Sequence, residues 1–176
     1  MTDVATFDRL RAEAASEMLR ACCGATRWVE GMLARRPFVS ILTLLAAADD
    51  VWSTMGPADW REAFEHHPQL GDSTGVVAQG KRARTWSSDE QAGMAGAGAD
   101  ERAILAAANT AYEARFGYIC IICATGMSVA EVAMLTEERL RNEPEEELAV
   151  AAEEQRKITR LRLLKLFHEP GVGSAS

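Results

Sequence analysis

The chain has 176 residues, 48% of them hydrophobic, a size and apolar content that suit one compact domain with a single core. Its formal charge of -7 repels polyanions and speaks against nucleic acid as a partner. No run approaches the roughly 20 apolar residues of a membrane span, and Met1-Thr2-Asp3-Val4 lacks the layout of a secretory signal, so a soluble, cytoplasmic protein without a membrane partner is expected.

Alanine, leucine and glutamate recur at helical spacing while alternating strand patterns are nearly absent, which predicts an all-α fold of several helices. A first amphipathic helix is expected over about 8–21, with Leu10, Ala14, Met18 and Ala21 on one stripe and a break at Cys23-Gly24. A second spans about 26–35 and stops before Pro37. Ser40 caps a third, carrying Ile41, Leu44, Leu45, Ala48 and Trp52, which ends at Gly56-Pro57. Pro57 then opens a short helix with Trp60 and Phe64 on one face.

Periodicity fails over 71–86, where Gly71, Gly75 and Gly80 mix with Asp72, Lys81, Arg82 and Arg84. This is the longest candidate loop, and long loops in small domains often carry function. Helix resumes near Ser88, again over 100–116, and from Ser128, where Ser128 and Glu131 fit a capping box. A last helix over about 144–167 runs from acidic (Glu145, Glu146, Glu147) to basic (Arg160, Arg162, Lys165), complementing the helix dipole, and its charges are expected to face solvent. The expected domain is 1–170, followed by a flexible tail over 171–176.

The cysteines fall as Cys22-Cys23 and Cys120-x-x-Cys123, the second pair inside an apolar run. They read as buried free thiols, because one C-x-x-C without a second Cys or His pair is a poor zinc signal. The four tryptophans read as packing. No G-x-G-x-x-G, Walker, H-E-x-x-H or G-x-S-x-G pattern occurs, so any chemistry falls to histidine, carboxylates, arginine and amides, with neither metal nor cofactor expected.

Three stretches could carry that chemistry. In His66-His67-Pro68-Gln69-Leu70-Gly71-Asp72 a helix end and a proline can hold an imidazole rigidly but within reach, although a histidine there also simply complements the dipole. In Trp86-Ser87-Ser88-Asp89-Glu90-Gln91, Ser87 and Glu90 suit a capping box. The same turn could also present a hydroxyl, a carboxylate and the Gln91 amide to one polar ligand. In Arg115-Phe116-Gly117 the guanidinium either fork-binds a substrate carboxylate or complements another helix end.

At these stretches the chain resembles the 2-oxo-4-hydroxy-4-carboxy-5-ureidoimidazoline (OHCU) decarboxylase family. The likeness extends through Cys22-Cys23-Gly24-Ala25-Thr26-Arg27-Trp28-Val29-Glu30, Arg36-Pro37-Phe38, Ile121-Ile122-Cys123-Ala124-Thr125-Gly126 and the run from Glu153 to Leu163, in one order over nearly the whole chain. The resemblance implies an all-α, cofactor-free homodimer of urate breakdown that converts OHCU to (S)-allantoin and carbon dioxide, coupled in function to hydroxyisourate hydrolase. It implies His67 and Glu90 as catalytic residues, and Pro68, Ser87, Gln91, Arg115 and Ile119 as substrate-binding residues. Met127 departs from a frequent lysine, and Cys120 from a position usually aromatic or proline. The rival readings are a helical protein-interaction module whose polar residues are all caps, and a metal-dependent hydrolase using His66, His67 and Glu90. Adjacent histidines seldom face the same way on a helix, which counts against the second.

Overall fold

Asp3 starts the first helix. Its Oδ1 accepts from the Thr6 amide at 2.8 Å, giving α1 (Val4–Asp8) the side-chain cap that helix N-termini need. The structure, a computed structural model, describes residues 2–67, 69–70 and 97–168. There follow α2 (Ala12–Cys22), α3 (Thr26–Ala34), α4 (Ile41–Ser53), α5 (Pro57–Phe64), α6 (Ala99–Phe116), α7 (Val129–Arg139) and α8 (Pro144–Leu166). Among the described residues the only strands are β1 (Thr2–Asp3) and β2 (Phe167–His168), two residues each and paired in parallel. The fold is all-α. The expected loop over 71–86, the helix near Ser88 and the tail over 171–176 lie outside the described residues.

The expected first helix is broken in two, and the cause is long-range. An Arg36 Nη donates to the Asp8 and Leu10 carbonyls at 2.6 and 2.5 Å, and Asp8 Oδ2 accepts from the Phe38 and Val39 amides at 2.9 and 3.3 Å. Carbonyls engaged this way favour a break over 9–11, whatever the apolar stripe implies. Val39, β-branched, sits at a φ of 67°, a conformation held by its bond to Asp8.

Contacts divide the chain into two compact units, residues 1–60 with 156–176, and residues 61–155. In the first, Phe7 stacks on Phe38 at 6.2 Å, meets Phe167 edge-on at 5.0 Å and lies under the Arg36 guanidinium. Trp28, Leu19, Met32 and Leu44 are wholly buried in the same unit, and the Trp28 indole donates to the Ala48 carbonyl. Packing is thus the role of this tryptophan. Ser40 caps α4 as expected, accepting from the Thr43 amide at 3.2 Å.

Helices α3 and α4 meet at Gly31, where an added Cβ would fall 2.7 Å from Val51 Cγ1. Gly31→Ala is therefore expected to destabilise, because overpacking of about 1–3 kcal/mol outweighs the ~1 kcal/mol gain in helix propensity. Chemical denaturation checks this: the Val51→Ala background should relieve the penalty, and strictly additive losses would refute the close approach.

In the second unit, α6 packs on α7, and Leu105, Ala108, Asn109, Tyr112 and Phe116 form the buried stripe of α6. Gly117 closes that helix in the left-handed region, at φ 75°, where glycine carries no Cβ penalty. The chain then runs without helix from Tyr118 until Ser128 caps α7, with the capping box to Glu131 present on both sides. Cys22, Cys23 and Cys120 are buried and Cys123 is half-buried, none of them in a disulfide.

The last helix corrects one expectation. Glu147 is fully buried and Arg162 nearly so, on a helix whose charges were expected to face water. A 23-residue helix presents several faces to its surroundings, and its charge order along the axis says nothing about which charges point inward.

Candidate active site

Helix α5 ends in a way that places His67. Phe64, buried, sets its ring 5.3 Å from that of Tyr118, and the His67 amide donates to the Phe64 carbonyl at 3.0 Å. The imidazole thus follows a helix end pinned by an aromatic contact, and its residue is half-buried. His66 is exposed, with Nδ1 3.0 Å from the Glu62 carbonyl, and so plays the helix-end part that dipole complementation predicts for a histidine. Two residues past Pro68, the Leu70 carbonyl accepts from Asn109 Nδ2 at 2.8 Å, fastening the chain beyond His67 to α6.

Arg115 stands in the last turn of α6, exposed, its guanidinium 5.2 Å from the Phe116 ring centre. One Nη donates to the Asn142 carbonyl at 3.0 Å, in the connection between α7 and α8. Ile119 is half-buried and directly follows Tyr118. Tyr118 is the hinge of the arrangement: its ring contacts Phe64, Tyr112 and Phe116, and the Arg61 guanidinium lies over it at 4.9 Å. Burial pushes its hydroxyl pKa upward, so it stays a neutral phenol.

One aromatic cluster therefore ties the segment carrying His67 to the segment, distant in sequence, that carries Arg115 and Ile119. Pro68, Ser87, Glu90 and Gln91 lie outside the described residues. Among the described residues no group of three or more His, Cys, Asp or Glu converges as a metal site would require, and no helix is long and apolar enough to cross a membrane.

Beneath these segments lies a polar hub that sequence reasoning missed. Glu147 Oε1 accepts from Arg139 Nε at 2.8 Å and from the Tyr112 hydroxyl, and Glu147 Oε2 accepts from Asn142 Nδ2 at 2.8 Å. A second Arg139 nitrogen donates to the Ile121 carbonyl at 2.7 Å. Burial opposes the Arg139 charge, yet Cys120, Glu147 and Tyr112 raise its pKa overall. Burial also pushes the Cys120 thiol up to about 11, against the pull of Arg139, which leaves it protonated and a poor nucleophile. Further along, Glu154 accepts from the Cys123 amide at 2.8 Å.

Comparison with known proteins identifies the family. The family model described as OHCU decarboxylase matches residues 8–164. The uric acid degradation bifunctional protein TTL of Arabidopsis thaliana is 36% identical over 150 residues, 85% of this chain, which spans 46% of that protein's length. The 2-oxo-4-hydroxy-4-carboxy-5-ureidoimidazoline decarboxylase of Amia calva is 30% identical over 135 residues, 77% of each chain. A crystal structure of OHCU decarboxylase in the presence of (S)-allantoin superposes with a TM-score of 0.72 at 34% identity, covering 86% of this chain and 97% of that one. On the family model and these likenesses, the chain belongs to the OHCU decarboxylase family.

Proposed function

We propose that this chain decarboxylates OHCU to (S)-allantoin and carbon dioxide in urate degradation. The observation that carries the reading is the match to the family over residues 8–164, with the His67, Arg115 and Ile119 segments joined through Tyr118. Loss of carbon dioxide leaves an electron pair on C4 that the adjacent ring C5=N bond takes up, and as the C4 hydroxyl becomes a carbonyl C5 gains a proton, so the reaction asks the protein for orientation, charge stabilisation and delivery of that proton to one face.

In this reading Arg115 anchors polar oxygens of the substrate, and Pro68 and the backbone at Ile119 line its pocket. Ser87 and Gln91 bond the ureido and ring amides. Glu90 stands beside His67, favouring the imidazolium and setting its orientation, and His67 moves the proton at the substrate hydroxyl that accompanies loss of the carboxylate. The working form is a cytoplasmic homodimer, coupled in function to hydroxyisourate hydrolase. The bifunctional nature of the Arabidopsis relative supports that coupling.

The test generates OHCU in situ from urate with urate oxidase and hydroxyisourate hydrolase, and follows circular dichroism at an allantoin-sensitive wavelength. Rapid appearance of one enantiomer supports the proposal; a signal that only follows the slow racemic background sinks it. In the same assay Arg115→Ala is expected to raise KM at least as much as it lowers kcat, because anchoring is binding in the ground state as well as the transition state. An unchanged KM would remove Arg115 from the anchor role.

A further inference from the structure

Arg115 does not stand alone. Its guanidinium donates to the backbone carbonyl of Asn142, and the side-chain amide of the same Asn142 donates to Glu147. Glu147 is gripped by Arg139, which also holds the Ile121 carbonyl, two residues past Ile119. A continuous line of hydrogen bonds thus runs from the anchor arginine, through one buried carboxylate, to the segment that carries Ile119. Each link is between 2.7 and 3.0 Å. Asn142 is fixed from a further side, since its amide N–H donates to the Arg139 carbonyl at 3.1 Å.

Such a line matters because regular secondary structure fixes neither of its ends. Arg115 is a long, exposed side chain on the last turn of a helix, and the chain from Tyr118 to Cys123 has no helical hydrogen bonds of its own. Burial does for the middle of the line what regular structure does not do for its ends. Glu147 and Arg139 are 0% and 4% exposed, so each is confined to one rotamer by packing and by several bonds at once.

We propose that Glu147 is a positioning residue of the decarboxylation site, setting through Asn142 where the Arg115 guanidinium stands and through Arg139 where the Ile119 backbone stands. The inference rests on Arg115 and Ile119 contacting substrate, as proposed above. It adds a residue that touches neither substrate nor any reacting atom, on an acidic helix start that reads in sequence as a solvated face.

Initial rates in the coupled assay test it with four proteins beside the parent: Arg115→Ala, Asn142→Ala, Glu147→Gln, and the double exchange Asn142→Asp with Glu147→Gln. Glu147→Gln keeps the shape and the acceptor for Arg139 and Tyr112 but turns a donor toward the Asn142 amide. The double exchange restores a matched pair with donor and acceptor reversed. Asn142→Ala and Glu147→Gln should each raise KM about tenfold with kcat within about twofold of the parent, since a displaced anchor weakens binding before it alters chemistry. The double exchange should return KM most of the way. Parental KM in both single variants, while Arg115→Ala raises it, overturns the positioning role and leaves the anchor standing. A fall in kcat that tracks a fall in melting temperature, with no recovery in the double exchange, also overturns it, since support of the fold alone would do that. An unchanged KM in Arg115→Ala removes the anchor and the positioning role with it.

Discussion

His67→Ala should lose roughly 100- to 10,000-fold in the rate of (S)-allantoin formation, the span associated with removing a positioned acid–base group, while its circular dichroism in the far ultraviolet stays parental. The two halves of that expectation have separate grounds. His67 is only half-buried, and what fixes the end of α5 is the Phe64 ring against Tyr118 and the bond from the His67 backbone, neither of which involves the imidazole. His66→Ala is the internal control. Its ring faces the Glu62 carbonyl at an exposed helix end, so turnover should stay near the parental value. A well-folded His67→Ala protein that still turns over at close to the parental rate would exclude His67 from the reaction, and a large loss in His66→Ala alone would transfer the role to its neighbour.

The largest effect on stability is expected at Arg139. Arg139→Met leaves Glu147 charged, fully buried and stripped of its cationic partner, and leaves the Ile121 carbonyl without its donor. Breaking a buried ion pair from one side costs about 3–5 kcal/mol. In a chain of this length that lowers Tm by roughly 6–20 °C. Removing both charges, with Arg139→Met and Glu147→Leu together, should recover part of the loss, since no bare charge remains. Recovery stays partial, because Tyr112, Asn142 and Ile121 each lose a hydrogen-bond partner. Thermal melts of the parent and the two variants decide it: a single variant as stable as the parent would remove the ion pair from the account of stability.

Local chemistry made much of this fold readable in advance. Ser40, Pro57 and Ser128 begin α4, α5 and α7 as their side chains predict, and Gly117 ends α6, because caps and stops act over three or four residues. The start of α2 was not readable. Its delay to Ala12 depends on Arg36, 24 or more residues away, reaching back to carbonyls whose partners no periodicity displays. The same limit applies to the site. The His67 and Arg115 positions were legible as a helix end before a proline and a cation before a glycine, but Glu147 looked like one of three equivalent acidic residues. Only the packing of α7 and of the α7–α8 connection singles it out.

The parallel pairing of β1 with β2 sets Thr2 opposite Phe167 and Asp3 opposite His168. Neighbouring strands lie about 4.8 Å apart, so the two ends of the described chain leave from almost one point. A second catalytic module joined by a flexible tether would then sweep nearly the same volume whether it was attached before Thr2 or after His168. The local concentration at which one module meets what the other releases would be set by the length and stiffness of the tether, and hardly at all by the order in which the modules are joined.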